Sequence, residues 1–183
     1  MRFIAMNLAR VIMAVLVLTA SVTASHAVQK HKPQAGEGWT TYKNARFGYS
    51  LYYPAGLFEA EPPPENGSGL TFVSGDGRGK IVVFGAHNSE GLSTREYRRV
   101  LIEEFGGYDK LDYQPIGRTW FVLSGFRGDN IYYQKVMFSC SARIINVLSI
   151  TFPTVEKPFY EPLIETIEDR FRTGRGEDSP QDC

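Results

Sequence analysis

The sequence contains few of the residues from which metal centres and catalytic triads are built. Only three of its 183 residues are histidines and only two are cysteines. His31 lies in a polar stretch and His87 follows an apolar run, and neither has a second ligand at the spacing of a metal site. No local motif supplies a serine and an acid that would complete a triad with His87. We therefore interpret His87 as a strand-end residue and predict no cofactor.

Paired carboxylates for acid–base catalysis are also scarce. The candidates are Glu103 and Glu104, which fall on a predicted helix, and Asp109 and Asp112, which follow it. Carboxylates on a helix surface or in an adjoining loop are usually solvated, whereas a catalytic pair must converge on one substrate. The sequence thus predicts no catalytic residue, and a hydrolase that uses acids or serines outside any recognisable motif is retained only as the third functional alternative.

An excess of charge of either sign is absent. Basic and acidic residues number 20 each. Removal of residues 1–27 would delete Arg2 and Arg10 and no acid, which leaves 18 basic and 20 acidic residues. Such a chain has no electrostatic reason to bind nucleic acid or an anionic membrane surface, so we expect neither partner.

The longest apolar run lies at the N-terminus. Arg2 and Arg10 precede a hydrophobic centre from Val11 to Leu18, and Ser25-His26-Ala27 has the small-x-small pattern of a cleavage site. The alternative is an uncleaved anchor, but serine and threonine interrupt the run before it reaches the roughly 20 residues of a spanning helix. No cysteine lies directly after this apolar run, where the lipoprotein route requires one for acylation. The sequence predicts a signal peptide over residues 1–27 and a periplasmic or secreted bacterial protein, with no membrane contact after cleavage.

The two cysteines are Cys140 and Cys183, the last residue. An even number of cysteines in an oxidising compartment favours a disulfide. The bond would fasten the C-terminal tail to the sheet and close a loop of about 40 residues, for which the chain-entropy model gives roughly 4 kcal/mol. The alternative is a buried thiol at Cys140 and a free thiol at Cys183, and the sequence leaves both open.

A strongly apolar segment runs from Asp129 to Phe152. Ile131, Tyr133, Val136 and Phe138 are the apolar residues of a first arm, Cys140-Ser141 predicts a tight reversal, and a second arm begins at Ala142. The middle of this second arm is apolar on both sides, which is typical of a strand in the interior of a sheet. We predict a hairpin at the centre of the sheet.

Other patterns predict further strands and two helices. A capping box at Ser93 to Glu96 should begin a helix whose apolar stripe includes Tyr97, Leu101 and Phe105. A second helix should occupy much of 155–172, with Pro162 delaying its regular part to near Phe159 or distorting the first turn. Further strands are predicted at 39–42, 47–53, 70–74, 80–86, 110–116 and 119–126, with an exposed loop at 59–69.

The order of these elements resembles the PsbP-like family, an α/β/α sandwich. Phe47 to Pro54, FGYSLYYP, resembles the aromatic-Gly-aromatic-x-aliphatic-x-aromatic-Pro signature of the family's opening strand, as found in exported bacterial proteins of unknown role. The resemblance covers about Trp39 to Phe171. It implies an α+β fold with a largely antiparallel sheet of six or seven strands and helices on its faces. It also implies an accessory or binding protein and not an enzyme.

The chain therefore divides into four parts. Residues 1–27 are predicted as the signal peptide, 28–38 as a linker, 39–172 as a PsbP-like domain and 173–183 as a polar C-terminal tail. The tail should be loose unless Cys183 fastens it.

Five tyrosines occupy positions for which neither strand alternation nor loop position predicts burial. They are Tyr52, Tyr108, Tyr113 and Tyr132, together with Tyr42. Tyrosine offers a large apolar ring with a polar tip, so an exposed cluster would suit contact with a protein, glycan or peptide. The alternative is that these rings pack beneath the helices or at strand ends.

These observations predict an exported, non-catalytic accessory domain that binds another envelope protein through one face or through the loop at 62–69. The alternative is a carrier of a small ligand or metal ion, with a pocket between the sheet and a helix.

Overall fold

The computed structural model describes residues 38–105 and 107–183, and every structural statement below concerns these residues. The predicted signal peptide (1–27) and all but the last residue of the predicted linker (28–38) lie outside them. None of the helices in this part of the chain has the length and hydrophobicity of a membrane-spanning segment.

The described residues form nine strands and two α-helices. The strands are β1 (Trp39–Lys43), β2 (Ser50–Pro54), β3 (Phe58–Ala60), β4 (Gly69–Ser74), β5 (Lys80–His87), β6 (Lys110–Tyr113), β7 (Trp120–Arg127), β8 (Asn130–Ser139) and β9 (Ile144–Pro153); the helices are α1 (Thr94–Val100) and α2 (Lys157–Asp169). Seven strands make one antiparallel sheet in the order β3-β4-β5-β9-β8-β7-β6, and β1 and β2 pair separately. The predicted α+β fold class is confirmed.

The predicted central hairpin is also confirmed. β8 and β9 pair from Asn130 and Pro153 to Ser139 and Ile144, and β9 lies between β5 and β8 in the middle of the sheet. Every residue from Ile144 to Ile150 is buried, as expected for an interior strand.

The reversal between these strands is longer than the predicted one. Cys140, Ser141 and Ala142 all have positive φ angles, of 52°, 54° and 67°, so Ala142 belongs to the turn and not to the second arm. Left-handed backbone is unfavourable for residues with a Cβ. The Asn88 side chain stabilises the turn by donating a hydrogen bond to the Ala142 carbonyl at 2.8 Å. The sequence has no glycine here to indicate such a turn.

Side-chain alternation along β9 divides the core between the two faces of the sheet. Ile144, Leu148, Ile150 and Phe152 join the cluster beneath α2 and the β1–β2 pair, and we name this side the α2 face. Ile145 and Val147 join a smaller cluster on the opposite side, the α1 face, where Tyr97 and Leu101 pack as predicted. The side chain of Phe105 lies outside the described part.

Three predicted element boundaries are wrong. β2 begins at Ser50 and not at Phe47, because the Asn44 side chain accepts a hydrogen bond from the Phe47 amide and holds the chain in a turn. Glu59 and Ala60, predicted in a loop, belong to β3 and pair with β4. β6 ends at Tyr113, and beyond it Ile116 forms only a single bridge to β7.

Both helices begin near their predicted positions. The capping box is present: the Ser93 hydroxyl accepts from the Glu96 amide at 3.3 Å, and the Glu96 carboxylate accepts from the Ser93 amide at 2.8 Å. A π-helical turn, Leu101–Phe105, follows α1. A 3-10 turn at Thr154–Glu156 precedes α2, and Pro162 lies inside the regular helix with its side chain exposed.

The C-terminal tail is bound to the rest of the domain. Cys140 and Cys183 form a disulfide with their Cα atoms 4.5 Å apart. Asp178 accepts a hydrogen bond from Arg46 Nε at 2.6 Å, and its amide donates to the Arg46 carbonyl at 2.8 Å. Hence the tail has anchors at its middle and at its end.

Candidate functional site

A cleft of about 380 Å³ lies between α2 and the β6–β7–β8 side of the sheet. We name it the helix–sheet cleft. Phe126, Ile131 and Phe152 line it as register partners on three adjacent strands, so their side chains lie side by side on the α2 face. Ile164 from α2 completes an apolar floor.

The rim of the helix–sheet cleft carries mainly negative charge. Its charged lining residues are Asp112, Lys157, Glu161, Glu165 and Glu168. The three glutamates occur at spacings of four and three residues, which brings them to one side of α2. Lys157 Nζ is 3.8 Å from Glu161 and Lys110 Nζ is 2.7 Å from Asp112. Among the described residues Glu165 has no ion-pair partner.

A hydrogen-bonded network joins the wall of the helix–sheet cleft to the sheet. Glu168 Oε2 accepts from the Tyr133 hydroxyl at 2.9 Å and from Lys135 Nζ at 2.7 Å, and Lys135 also donates to the Glu168 carbonyl. Burial raises the pKa of Tyr133, and the nearby Glu168 carboxylate raises it further. Only 16% of the Lys135 side chain is exposed, so its charge needs this partner. The network fixes the end of α2 against β8.

Exposed apolar side chains occur along the β6–β7 edge of the sheet. Tyr113, Ile116 and Trp120 are 57%, 41% and 38% exposed, and of these three Tyr113 lines the helix–sheet cleft. They lie along β6, the start of β7 and the segment between these strands. Val155 is the other large hydrophobic residue that is exposed in the described part.

The outer edge of β6 is poorly suited to pairing with another strand. The strand has only four residues, its register to β7 shifts at Asp112, and Pro115 follows it. Short length, a bulge and a nearby proline all oppose strand addition. Contacts with a partner at this side of the sheet would therefore be made by side chains.

The tyrosines predicted to form a binding surface lie in separate places. Tyr113 lines the helix–sheet cleft. Tyr108 and Tyr132 meet edge to face on the α1 side, with ring centroids 5.6 Å apart and the Arg127 guanidinium over both rings. Burial raises the pKa of Tyr108. Tyr52 stacks on Trp39 in the β1–β2 pair, at 5.0 Å.

The predicted interaction loop lies away from the cleft. Residues 61–67 are exposed between β3 and β4. Asn44 Nδ2 donates to the Gly67 carbonyl at 2.9 Å, and Arg46 donates to the Asn66 carbonyl at 2.7 Å. Tyr42 belongs to β1 and is not part of this loop, and its ring packs on Tyr49 and Phe72.

The acids considered for catalysis are dispersed over structural roles. Asp109 accepts a hydrogen bond from the Gly128 amide at 2.7 Å, Asp112 pairs with a lysine at the rim, and Glu103 is exposed on the π-helical turn. His87 ends β5, as predicted, and lies 3.3 Å from Asp178 in the tail. Residues 38–105 and 107–183 contain no group of three or more histidines, cysteines or acids arranged to hold a metal ion.

Solved structures of other proteins have a similar fold. No family model matches the sequence, and no curated protein does. The structure is similar to cyanobacterial PsbP (CyanoP) from Synechocystis sp., with a TM-score of 0.55 and 10% identity over 78% of this chain and 98% of that one. It is also similar to the Ran-binding protein Mog1p of Saccharomyces cerevisiae, with a TM-score of 0.51 and 13% identity over 75% of this chain and 96% of that one.

The chain has the Mog1/PsbP-like fold. The predicted resemblance to the PsbP-like family is thereby confirmed at the level of the fold. At 10% and 13% identity the similarity establishes the fold alone.

Sequence reasoning missed most of the helix–sheet cleft. A signal was present in Glu161, Glu165 and Glu168, whose spacing forms a stripe next to the apolar stripe of α2. Lys135 was a second signal, since a lysine inside an apolar strand requires a partner. Neither signal reveals that β6 and β7 face the same helix, because that proximity arises only from the tertiary fold.

Proposed function

We propose that this protein is an exported, non-catalytic binding domain that engages a protein of the cell envelope through the helix–sheet cleft and Tyr113 at its rim. One observation carries the proposal: a cleft with an apolar floor and a charged rim is lined by Tyr113, which is 57% exposed. An exposed tyrosine at the edge of a concave site is typical of a binding hot spot.

The fold and the dispersed acids support a binding role. Mog1p, which has the same fold, is a Ran-binding protein. Asp109 is engaged with a backbone amide and Asp112 with Lys110, so neither is paired with a second acid as acid–base catalysis would require.

Two features support export. Residues 1–27 have the sequence pattern of a signal peptide, and the bond between Cys140 and Cys183 suits an oxidising compartment. Edman sequencing of the protein from fractionated cells should begin at Val28 in the periplasmic or secreted fraction. A sequence that begins at Met1, in the cytoplasmic fraction, would contradict export.

Site-specific photo-cross-linking in living cells tests the binding surface. A photoreactive phenylalanine analogue replaces Tyr113 or Glu165 at the cleft, or Glu103 on the opposite side of the sheet as the control. The proposal expects the first two positions to cross-link to the same envelope protein, identified by mass spectrometry, and the control to give none of that product. Equal yields from all three positions, or no product from the two cleft positions, would refute it.

A small-ligand carrier is the second candidate, and the volume of the helix–sheet cleft favours it. At about 380 Å³ the cleft falls within the roughly 300–1,000 Å³ of small-molecule sites. A ligand that binds only the folded state raises its stability. A thermal-shift screen of small metabolites should therefore reveal a stabilising compound if this candidate is correct, and a screen without any stabilisation would count against it.

A further inference from the structure

The ion pairs around the helix–sheet cleft differ in how strongly they are held. The Lys110–Asp112 and Lys157–Glu161 pairs are both well exposed. Exposed pairs contribute roughly 0–1 kcal/mol, so another cation can replace their lysines at little cost. The pair between Lys135 and Glu168 is largely buried and forms part of the fold.

Three carboxylates are thus available to a partner. Asp112 and Glu161 are held only by exposed lysines, and Glu165 has no ion-pair partner among the described residues. An anionic segment would meet repulsion at all three, whereas a cationic segment would satisfy them. The charge of the rim therefore selects for a basic partner.

The floor adds a second requirement. Phe126, Ile131 and Ile164 present apolar surface below the carboxylates. Lysine and arginine side chains place their methylene groups on apolar surface and keep the charged head in a polar environment. A segment that combines basic and aliphatic residues matches both the floor and the rim. Because the bulged edge of β6 opposes strand addition, this segment would bind through its side chains.

From this match we infer that the helix–sheet cleft recognises a basic, apolar-flanked segment of a partner protein, with a lysine or arginine paired to Glu165. The inference rests on the proposed function and specifies the chemistry of the partner. Asp112 and Glu161 provide the surrounding negative charge, and Tyr113 packs on the aliphatic residues that flank the basic one.

Titration of the exported, isotope-labelled protein with two synthetic peptides tests this specificity by NMR. The probe is the capped peptide Gly-Leu-Lys-Leu-Arg-Gly, and the control peptide has glutamate in place of lysine and arginine. The basic peptide should shift amide signals on α2 and β6, and its binding should weaken as salt rises from about 0.05 M to about 0.5 M because salt screens exposed charges. Equal binding of the acidic peptide, or shifts confined to other surfaces, would overturn the inference.

A charge-neutralised variant tests the named residues. The triple substitution D112N, E161Q and E165Q keeps the side-chain shapes, and it should weaken binding of the basic peptide roughly tenfold or more, which is about 1.4 kcal/mol. The matched control neutralises three exposed acids elsewhere, E90Q, E103Q and E104Q, and should bind as the unmodified protein does. Equal loss in both variants, or no loss in the cleft variant, would overturn the inference.

The two proposals fail in different ways. If the photoreactive group at Tyr113 captures its partner equally well in the D112N, E161Q and E165Q background, the basic-segment inference is wrong and the binding function stands. If the basic peptide binds the cleft but neither cleft position cross-links to an envelope protein in cells, the proposed function is wrong and the chemical preference stands.

Discussion

Removal of the bond between Cys140 and Cys183 should destabilise the domain by an amount that can be worked out from its position. The two residues are 43 positions apart, so the bond closes a loop that contains β9, α2 and the C-terminal tail. In the chain-entropy model a loop of this size raises the free energy of unfolding by about 4 kcal/mol, because it restricts the unfolded chain.

The substitution Cys183→Ser is the cleanest form of this test. Cys183 is exposed at the end of the tail, whereas Cys140 is buried, so changing Cys183 removes the bond without opening a cavity in the core. Urea unfolding followed by tryptophan fluorescence measures the effect. With an m-value of about 2 kcal/mol/M, a loss of about 4 kcal/mol lowers the midpoint by about 2 M.

Reduction of the unmodified protein provides the control. Dithiothreitol should lower its midpoint to that of the Cys183→Ser variant and should leave the variant unchanged. A difference below about 1 kcal/mol between oxidised protein and variant would refute the entropic argument. Detection of two free thiols in the denatured, unreduced protein would refute the bond itself.

Three further predictions concern single side chains. Gly48→Ala should lower the free energy of unfolding by more than about 2 kcal/mol, since φ is +77° and the new Cβ would overlap the backbone of the C-terminal tail; urea unfolding measures this loss. Ser93→Ala should cost about 1 kcal/mol by removing the cap of α1, and hydrogen exchange should accelerate most in that helix. A hydrogen bond from Ser74 is the main cause that lowers the pKa of Asp76 from 3.8 to about 2, so the stabilisation from this carboxylate is complete above pH 3.8 and is lost as pH falls towards 2. NMR titration of Ser74→Ala should give a pKa for Asp76 closer to 3.8, and an unchanged pKa would contradict the assignment.

The elements that could be predicted are those determined by neighbouring residues. The alternation of β8 and β9, the apolar stripe of α1 and the Ser93–Glu96 capping box depend on residues within a few positions of one another. Their physical causes are all present in a short window of sequence, so the structure reproduces them.

The features that could not be predicted depend on tertiary contacts. Three left-handed residues in succession at Cys140 to Ala142 contradict local preference and are held by Asn88, which is more than 50 positions away. The helix–sheet cleft likewise brings Asp112 and Glu165 into the lining of one site through the packing of α2 on the sheet. No local pattern encodes either arrangement.

The tyrosines illustrate the same limit. Alternation predicts that Tyr132 and Tyr133 point to opposite faces of β8, as they do in the structure. It does not indicate which face α1 or α2 covers, or that Arg127 lies over Tyr132. For this reason the tyrosines predicted to form one binding surface lie in three separate parts of the structure.

Competition between the basic peptide and the cellular partner tests the central claim most directly. Cross-linking from the photoreactive group at position 113, which leaves Glu165 in place, is measured in an envelope extract with rising concentrations of the capped peptide Gly-Leu-Lys-Leu-Arg-Gly or of its glutamate counterpart. The account predicts that the basic peptide abolishes the cross-link to the envelope protein and that the acidic peptide leaves it intact. A cross-link that persists at saturating basic peptide would contradict the claim that the partner binds in the helix–sheet cleft.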